Sequence, residues 1–60
     1  MPVVKIDLWK LKSDEEKEKI IKGITKTFVE IGMKPEWVTV IINEVDKENW
    51  GSGGEQASKK

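Results

Sequence analysis

The chain contains neither His nor Cys, which removes most of the familiar ways of building a catalytic centre. A Ser-His-Asp or Cys-His nucleophilic site cannot be assembled, and a structural zinc site lacks its usual donors. No P-loop or dinucleotide fingerprint occurs, since Gly51-Ser52-Gly53-Gly54 is too short and follows no strand-to-helix switch. Carboxylates are plentiful but fall mainly on the surface of a predicted helix. One unusual base remains. Pro2 follows Met1 directly, and methionine aminopeptidases remove an initiator Met that precedes a small residue. The product would carry a rigid secondary amine. An α-amino group titrates near ~7.7–8.0, and burial beside other cations pushes it lower. Such an amine is available as a general base near neutral pH, and its conjugate acid can return the proton. Taken alone, Pro2 reads first as a residue that follows the start Met and stiffens a sheet edge.

The elements around Pro2 follow from periodicity. Val3 to Trp9 alternates, with Val4, Ile6 and Leu8 on one face and Val3, Lys5, Asp7 and Trp9 on the other, which predicts a strand. Pro2 then sits at the lip of the sheet, where a residue without an N–H is tolerated. Ser13-Asp14-Glu15-Glu16 predicts a helix start, with Ser13 as N-cap, Glu16 completing a capping box and acidic residues at the positive end of the dipole. Ile20, Ile21, Ile24, Phe28 and Ile31 recur at helical spacing and define an expected buried stripe. Lys17, Lys19, Lys22, Lys26 and Glu30 fall mostly off it. Gly23 inside the helix suggests close packing, Gly32 suits the C′ position, and Pro35 blocks resumption. Trp37 to Val45 reads as a second strand, apolar on both faces over Val40-Ile41-Ile42 and so expected to be covered on two sides. The length between the strands, about 30 residues including a helix, is that of a βαβ crossover with parallel strands. Asp46 to Gly54 predicts a short hairpin or bulged arm, and the polar tail after it is expected to fray or drape on a neighbour.

Sixty residues permit one domain, here 1–60, with a marginal core. Without disulfides or a metal, oligomerisation is the remaining way to stabilise it. A single helix covers only one face of the sheet, so another subunit is expected on the other. Eleven basic and eleven acidic residues balance, leaving no field to draw in nucleic acid or an anionic membrane. Neither a membrane span nor a signal-peptide core is present, so a cytoplasmic location is expected. Every basic residue is Lys, and the bidentate guanidinium fork that usually clamps a carboxylate is absent.

Met1-Pro2 before a short alternating strand, then Lys12-Ser13-Asp14-Glu15-Glu16-Lys17, a second strand ending in Glu44, and Asn49-Trp50-Gly51-Ser52-Gly53-Gly54-Glu55 together resemble the 4-oxalocrotonate tautomerase (2-hydroxymuconate tautomerase) family. The resemblance spans essentially the whole chain, and its specificity lies in the joint order and spacing of short motifs. It implies an α/β (α+β) fold of the tautomerase/MIF-like type, a β-α-β subunit with parallel strands and a short C-terminal hairpin, assembled as a homohexamer, a trimer of dimers. It implies a cofactor-independent, metal-free isomerase in which Pro2, once Met1 is gone, shifts a proton within an enol or unsaturated 2-keto acid such as 2-hydroxymuconate. Members bind the substrate carboxylate with arginines and close the site with an aromatic residue from a neighbouring subunit. Trp50 matches that aromatic position, where it could equally anchor the hairpin at an interface.

This chain departs from the pattern at the cations. Lys12 stands at the first arginine position and offers a point charge, although an exposed loop lysine would look the same. Thr39 stands at the second and can hydrogen-bond without pairing a charge, so a dicarboxylate is expected to bind less well. Trp9 is expected to pack at an interface, or else to form an apolar wall beside Pro2. Ser52, where relatives often carry an aliphatic residue, makes the pocket mouth more polar. Hydration or dehalogenation of an unsaturated acid would need a further acid or water-activating residue, and none is identified. A non-catalytic assembly or binding module on the same fold is the alternative from another class, favoured by the missing arginines and opposed by Met1-Pro2 and Trp50.

Overall fold

The computed structural model describes residues 1–11 and 13–59. Strand β1 (Val3–Leu8) leads to helix α1 (Asp14–Glu30), a 3-10 turn (Pro35–Trp37) and strand β2 (Thr39–Glu44). A second 3-10 turn (Lys47–Asn49) precedes the two-residue strands β3 (Gly51–Ser52) and β4 (Glu55–Gln56), and Ala57–Lys59 forms a last turn. The strands β1 and β2 pair in parallel, with Val3 opposite Thr39 and Leu8 opposite Glu44, while β3 and β4 form an antiparallel hairpin. The β-α-β subunit with a C-terminal hairpin is the architecture that the periodicity and the resemblance imply.

Local chemistry explains each boundary. The Ser13 hydroxyl accepts the Glu16 N–H at 3.4 Å, and Asp14, Glu15 and Glu16 fill the first turn of α1, satisfying an orphan donor and complementing the dipole. At the other end Gly32 takes φ 101°. Its N–H donates to Val29 O at 3.0 Å and that of Met33 to Phe28 O at 3.1 Å, the Schellman arrangement that only a left-handed C′ residue closes. Gly53 and Gly54 both have positive φ, 63° and 83°, as a two-residue hairpin turn of the twist-matched type requires.

Three expectations about these elements are corrected. Ile20, Ile24 and Phe28 are half-buried, but Ile21 is exposed and Ile31, the C-cap residue, is 69% exposed, because the helix ends there and the turn at Gly32 redirects the chain. Strand β2 begins at Thr39 rather than Trp37, since Pro35 starts a 3-10 turn in which the Trp37 N–H donates to Lys34 O at 3.0 Å. Gly23 marks no close approach, for a Cβ there would meet nothing within 4 Å.

Helix α1 packs against β2, and the side chains of Val4, Ile6, Leu8, Val40 and Ile42 are half-buried. The opposite face, with Val3 at 52% and Ile41 at 44% exposure, is open in the single chain, so β2 is covered on one side only. Among the described residues none is buried. The molecule measures 43 × 23 × 13 Å with a radius of gyration of 14.6 Å, against about 10 Å for a compact chain of this length. It is a thin slab, one helix deep on one strand pair.

Candidate active site

Pro2 and Thr39 meet at the N-terminal end of the strand pair. The Thr39 N–H donates to Pro2 O at 3.0 Å, extending the parallel ladder one step past β1. This bond fixes the carbonyl side of Pro2, which is half-buried, and leaves its ring at the sheet edge beside Met1, 90% exposed. With Met1 attached, the Pro2 nitrogen is an amide and has no useful basicity. The residue at the second cation position of the resemblance is thus a direct neighbour of the candidate base, and it is uncharged.

Trp9 and Trp50 lie at the far end of β1. They meet edge to face, with ring centroids 5.8 Å apart and planes at 71°, a favoured arrangement for indole pairs. Lys47 Nζ stands 4.9 Å from the Trp9 ring centroid. These three, with Ser52 and Ala57, line a cavity of about 340 Å³. Its walls are held by the hairpin: the Ala57 N–H donates to Trp50 O at 2.8 Å, the Trp50 N–H to Lys47 O at 3.2 Å, and Gln56 Nε2 to Glu48 O at 2.8 Å. Gly51 permits this closure, because a Cβ there would stand 3.1 Å from Glu55 O. Trp9 therefore forms no wall beside Pro2 within one chain. Seven residues of extended strand, at ~3.3 Å each, put the two about 20 Å apart.

Lys12 lies outside the described residues. The residue before it is held firmly: the Leu11 N–H donates to Glu44 Oε2 at 2.8 Å, and Lys17 Nζ approaches Glu44 Oε1 at 2.7 Å. Asp14 stands 3.7 Å from the same ammonium. The hydrogen bond from Lys17, followed by the Leu11 N–H, holds the Glu44 carboxyl below its ordinary value. The hydrogen bond to Glu44 holds the Lys17 ammonium above its own. Glu44 was legible only as the end of a strand and Lys17 only as a surface lysine. Their pairing depends on the crossover bringing the helix start over the end of β2, which no spacing in the sequence reveals. Lys47 was likewise passed over, its signal being only its place three residues before Trp50.

A parallel strand pair crossed by one helix and followed by a short antiparallel hairpin defines the class as a small α+β fold of the tautomerase type. A family model described as "Tautomerase enzyme" matches residues 2–60, and the chain belongs to the tautomerase family. It is similar to the 2-hydroxymuconate tautomerase of Comamonas testosteroni, at 37% identity over 60 residues, covering 98% of this chain and 95% of that one. A probable tautomerase of Dickeya dadantii is 40% identical over 47 residues, 77% of this chain and 70% of that one. Among solved structures, a 4-oxalocrotonate tautomerase isozyme from Methylibium petroleiphilum superposes with a TM-score of 0.88 at 25% identity, covering 97% of this chain and 92% of that one. The chain is accordingly an isomerase of the keto-enol tautomerase type, which sets aside the non-catalytic module. Among the described residues, no helix is long and apolar enough to cross a membrane.

Proposed function

We propose that Pro2, freed by removal of Met1, is the general acid-base of a cofactor-independent tautomerase acting on an enol or unsaturated 2-keto acid. The observation that carries this reading is the Thr39 N–H to Pro2 O bond at 3.0 Å. It anchors the terminal residue through its carbonyl, so the secondary amine on its other side is held at the sheet edge instead of fraying. The amine takes the hydroxyl proton of the enol as the C=O bond forms, and the electron pair moves along the conjugated system to a carbon. The ammonium then delivers the same proton to that carbon, leaving Pro2 neutral for the next turnover. Lys12 attracts the substrate carboxylate and stabilises developing negative charge.

The apolar part of the site comes from Trp50 of a neighbouring subunit. Within one chain Trp50 lies at the far end of β1 from Pro2, and the uncovered sheet face with Val3 and Ile41 exposed favours a partner there. Assembly as a hexamer, a trimer of dimers, supplies both the missing cover and the missing wall. Pro2→Ala, which turns the secondary amine into a primary one without a ring, should lower turnover of 2-hydroxymuconate and phenylenolpyruvate by about 100-fold, the lower range for loss of a positioned base. Turnover equal to wild type would eliminate Pro2 as the base.

A further inference from the structure

The cavity between Trp9 and Trp50 has a composition that limits what it can hold. Two indoles supply flat apolar walls, Ser52 supplies a hydroxyl, Ala57 adds a methyl group, and Lys47 is the sole cation among its lining residues. We propose that this cavity binds a planar, conjugated monocarboxylate, with Lys47 as the cation that takes the carboxylate and so sets specificity. The proposal rests on the tautomerase reading above in one respect: the ligand is taken to be the reacting enol acid, with Trp50 against its conjugated body.

Three observations carry it. The Lys47 ammonium sits over the Trp9 ring at 4.9 Å, whereas the ion pairs among the described residues involve Lys17 and Lys22. A cation resting on a π face keeps its outward N–H donors for an incoming anion. Its backbone is also fixed relative to the wall it serves, since Lys47 O accepts the Trp50 N–H at 3.2 Å. Finally, the volume of about 340 Å³ lies at the lower end of the range for small-ligand sites. One ammonium in such a cleft suits one carboxylate. Within that lining a second carboxylate would find only the Ser52 hydroxyl, and placing it there without a cation is costly.

The test separates binding from chemistry. Cinnamate is flat, carries one carboxylate and has no enol to isomerise, and cinnamamide is its uncharged analogue. In a Trp37→Phe background, leaving Trp9 and Trp50 as the fluorescent reporters, cinnamate should quench indole emission. Lys47→Gln and Lys47→Met should each weaken its binding by about tenfold, the loss expected of one charge-assisted contact, and Lys47→Arg should restore it. Cinnamamide should bind weakly to every variant alike. With phenylenolpyruvate, Lys47→Gln should raise KM and leave kcat nearly unchanged. Equal cinnamate affinity in wild type, Lys47→Gln and Lys47→Met, or no cinnamate binding to wild type, would overturn the proposal. Pro2→Ala tells the two readings apart: full turnover in that variant sinks the Pro2 mechanism and leaves the cinnamate measurements to judge Lys47 independently.

Discussion

Lys17 and Glu44 are joined by an ion pair of 2.7 Å that ties the first turn of α1 to the last residue of β2. The same carboxylate accepts the Leu11 N–H at 2.8 Å, so a single side chain gathers the helix start, the strand end and the loop that leads to Lys12. Exposed pairs of this kind contribute modestly to stability, yet this one also fixes backbone next to a candidate substrate contact.

Glu44→Gln should therefore lower the melting temperature, and Glu44→Ala should lower it further by removing the acceptor for Leu11. The pH dependence follows from the directions of the shifts. Because the Glu44 pKa is depressed in the fold, its contribution is present above the ordinary carboxylate range and disappears as pH falls through the depressed value. Because the Lys17 pKa is raised, its contribution is complete below the ordinary lysine value and is lost as pH rises through the elevated one. Thermal unfolding of wild type and Glu44→Gln should differ most between these limits and converge in acid.

Gly23 within α1 and Gly32 just past its end should respond in opposite directions. Gly23→Ala adds a methyl group where nothing stands within 4 Å and should stabilise by about 1 kcal/mol through helix propensity. Gly32→Ala forces a Cβ into φ 101° and should destabilise by about 1 kcal/mol or more. Urea unfolding at fixed protein concentration measures both.

Activity should track the removal of Met1. Preparations containing a mixture of chains, counted by intact mass, should have specific activity proportional to the fraction that begins at Pro2. A preparation fully active with Met1 retained would exclude an amine mechanism.

Thr39→Arg should lower KM for 2-hydroxymuconate by about tenfold, the value of one added charge-assisted hydrogen bond, while changing phenylenolpyruvate much less. Steady-state kinetics on the two substrates decides this, and an unchanged ratio would mean that position 39 does not face the second carboxylate.

Much of the frame was readable in advance because local signals agreed. The Ser13 cap and Gly32 each act over a few residues and fell where they were expected. Strand β1 ends one residue early at Leu8, and the hairpin runs past Gly54 into Glu55–Gln56, a stretch expected to belong to a fraying tail. The errors arose where distant parts decide the outcome. Ile31 carried the right spacing but is itself the C-cap at which the chain is redirected, and Trp37 lost its strand to the turn begun by Pro35. Of the candidate site, Pro2 and Trp50 were proposed from type and position, and Trp50 lines the cavity. The ion pair of Lys17 with Glu44 and the seat of Lys47 on Trp9 depend on tertiary geometry and left no periodic trace.

The strand β1 can also be regarded as a ruler. Pro2 lies at one end of it and Trp9, with the indole cavity, just past the other. Adding or removing one residue within β1 would turn every later side chain to the opposite face. Adding or removing two would keep the faces but shift the ends relative to each other by about 7 Å. Either change would part the groups that a subunit delivers to its two ends while sparing every residue that does chemistry. Under the proposed Pro2 mechanism, the length of this strand would matter to activity as much as the identity of the residues at its tips.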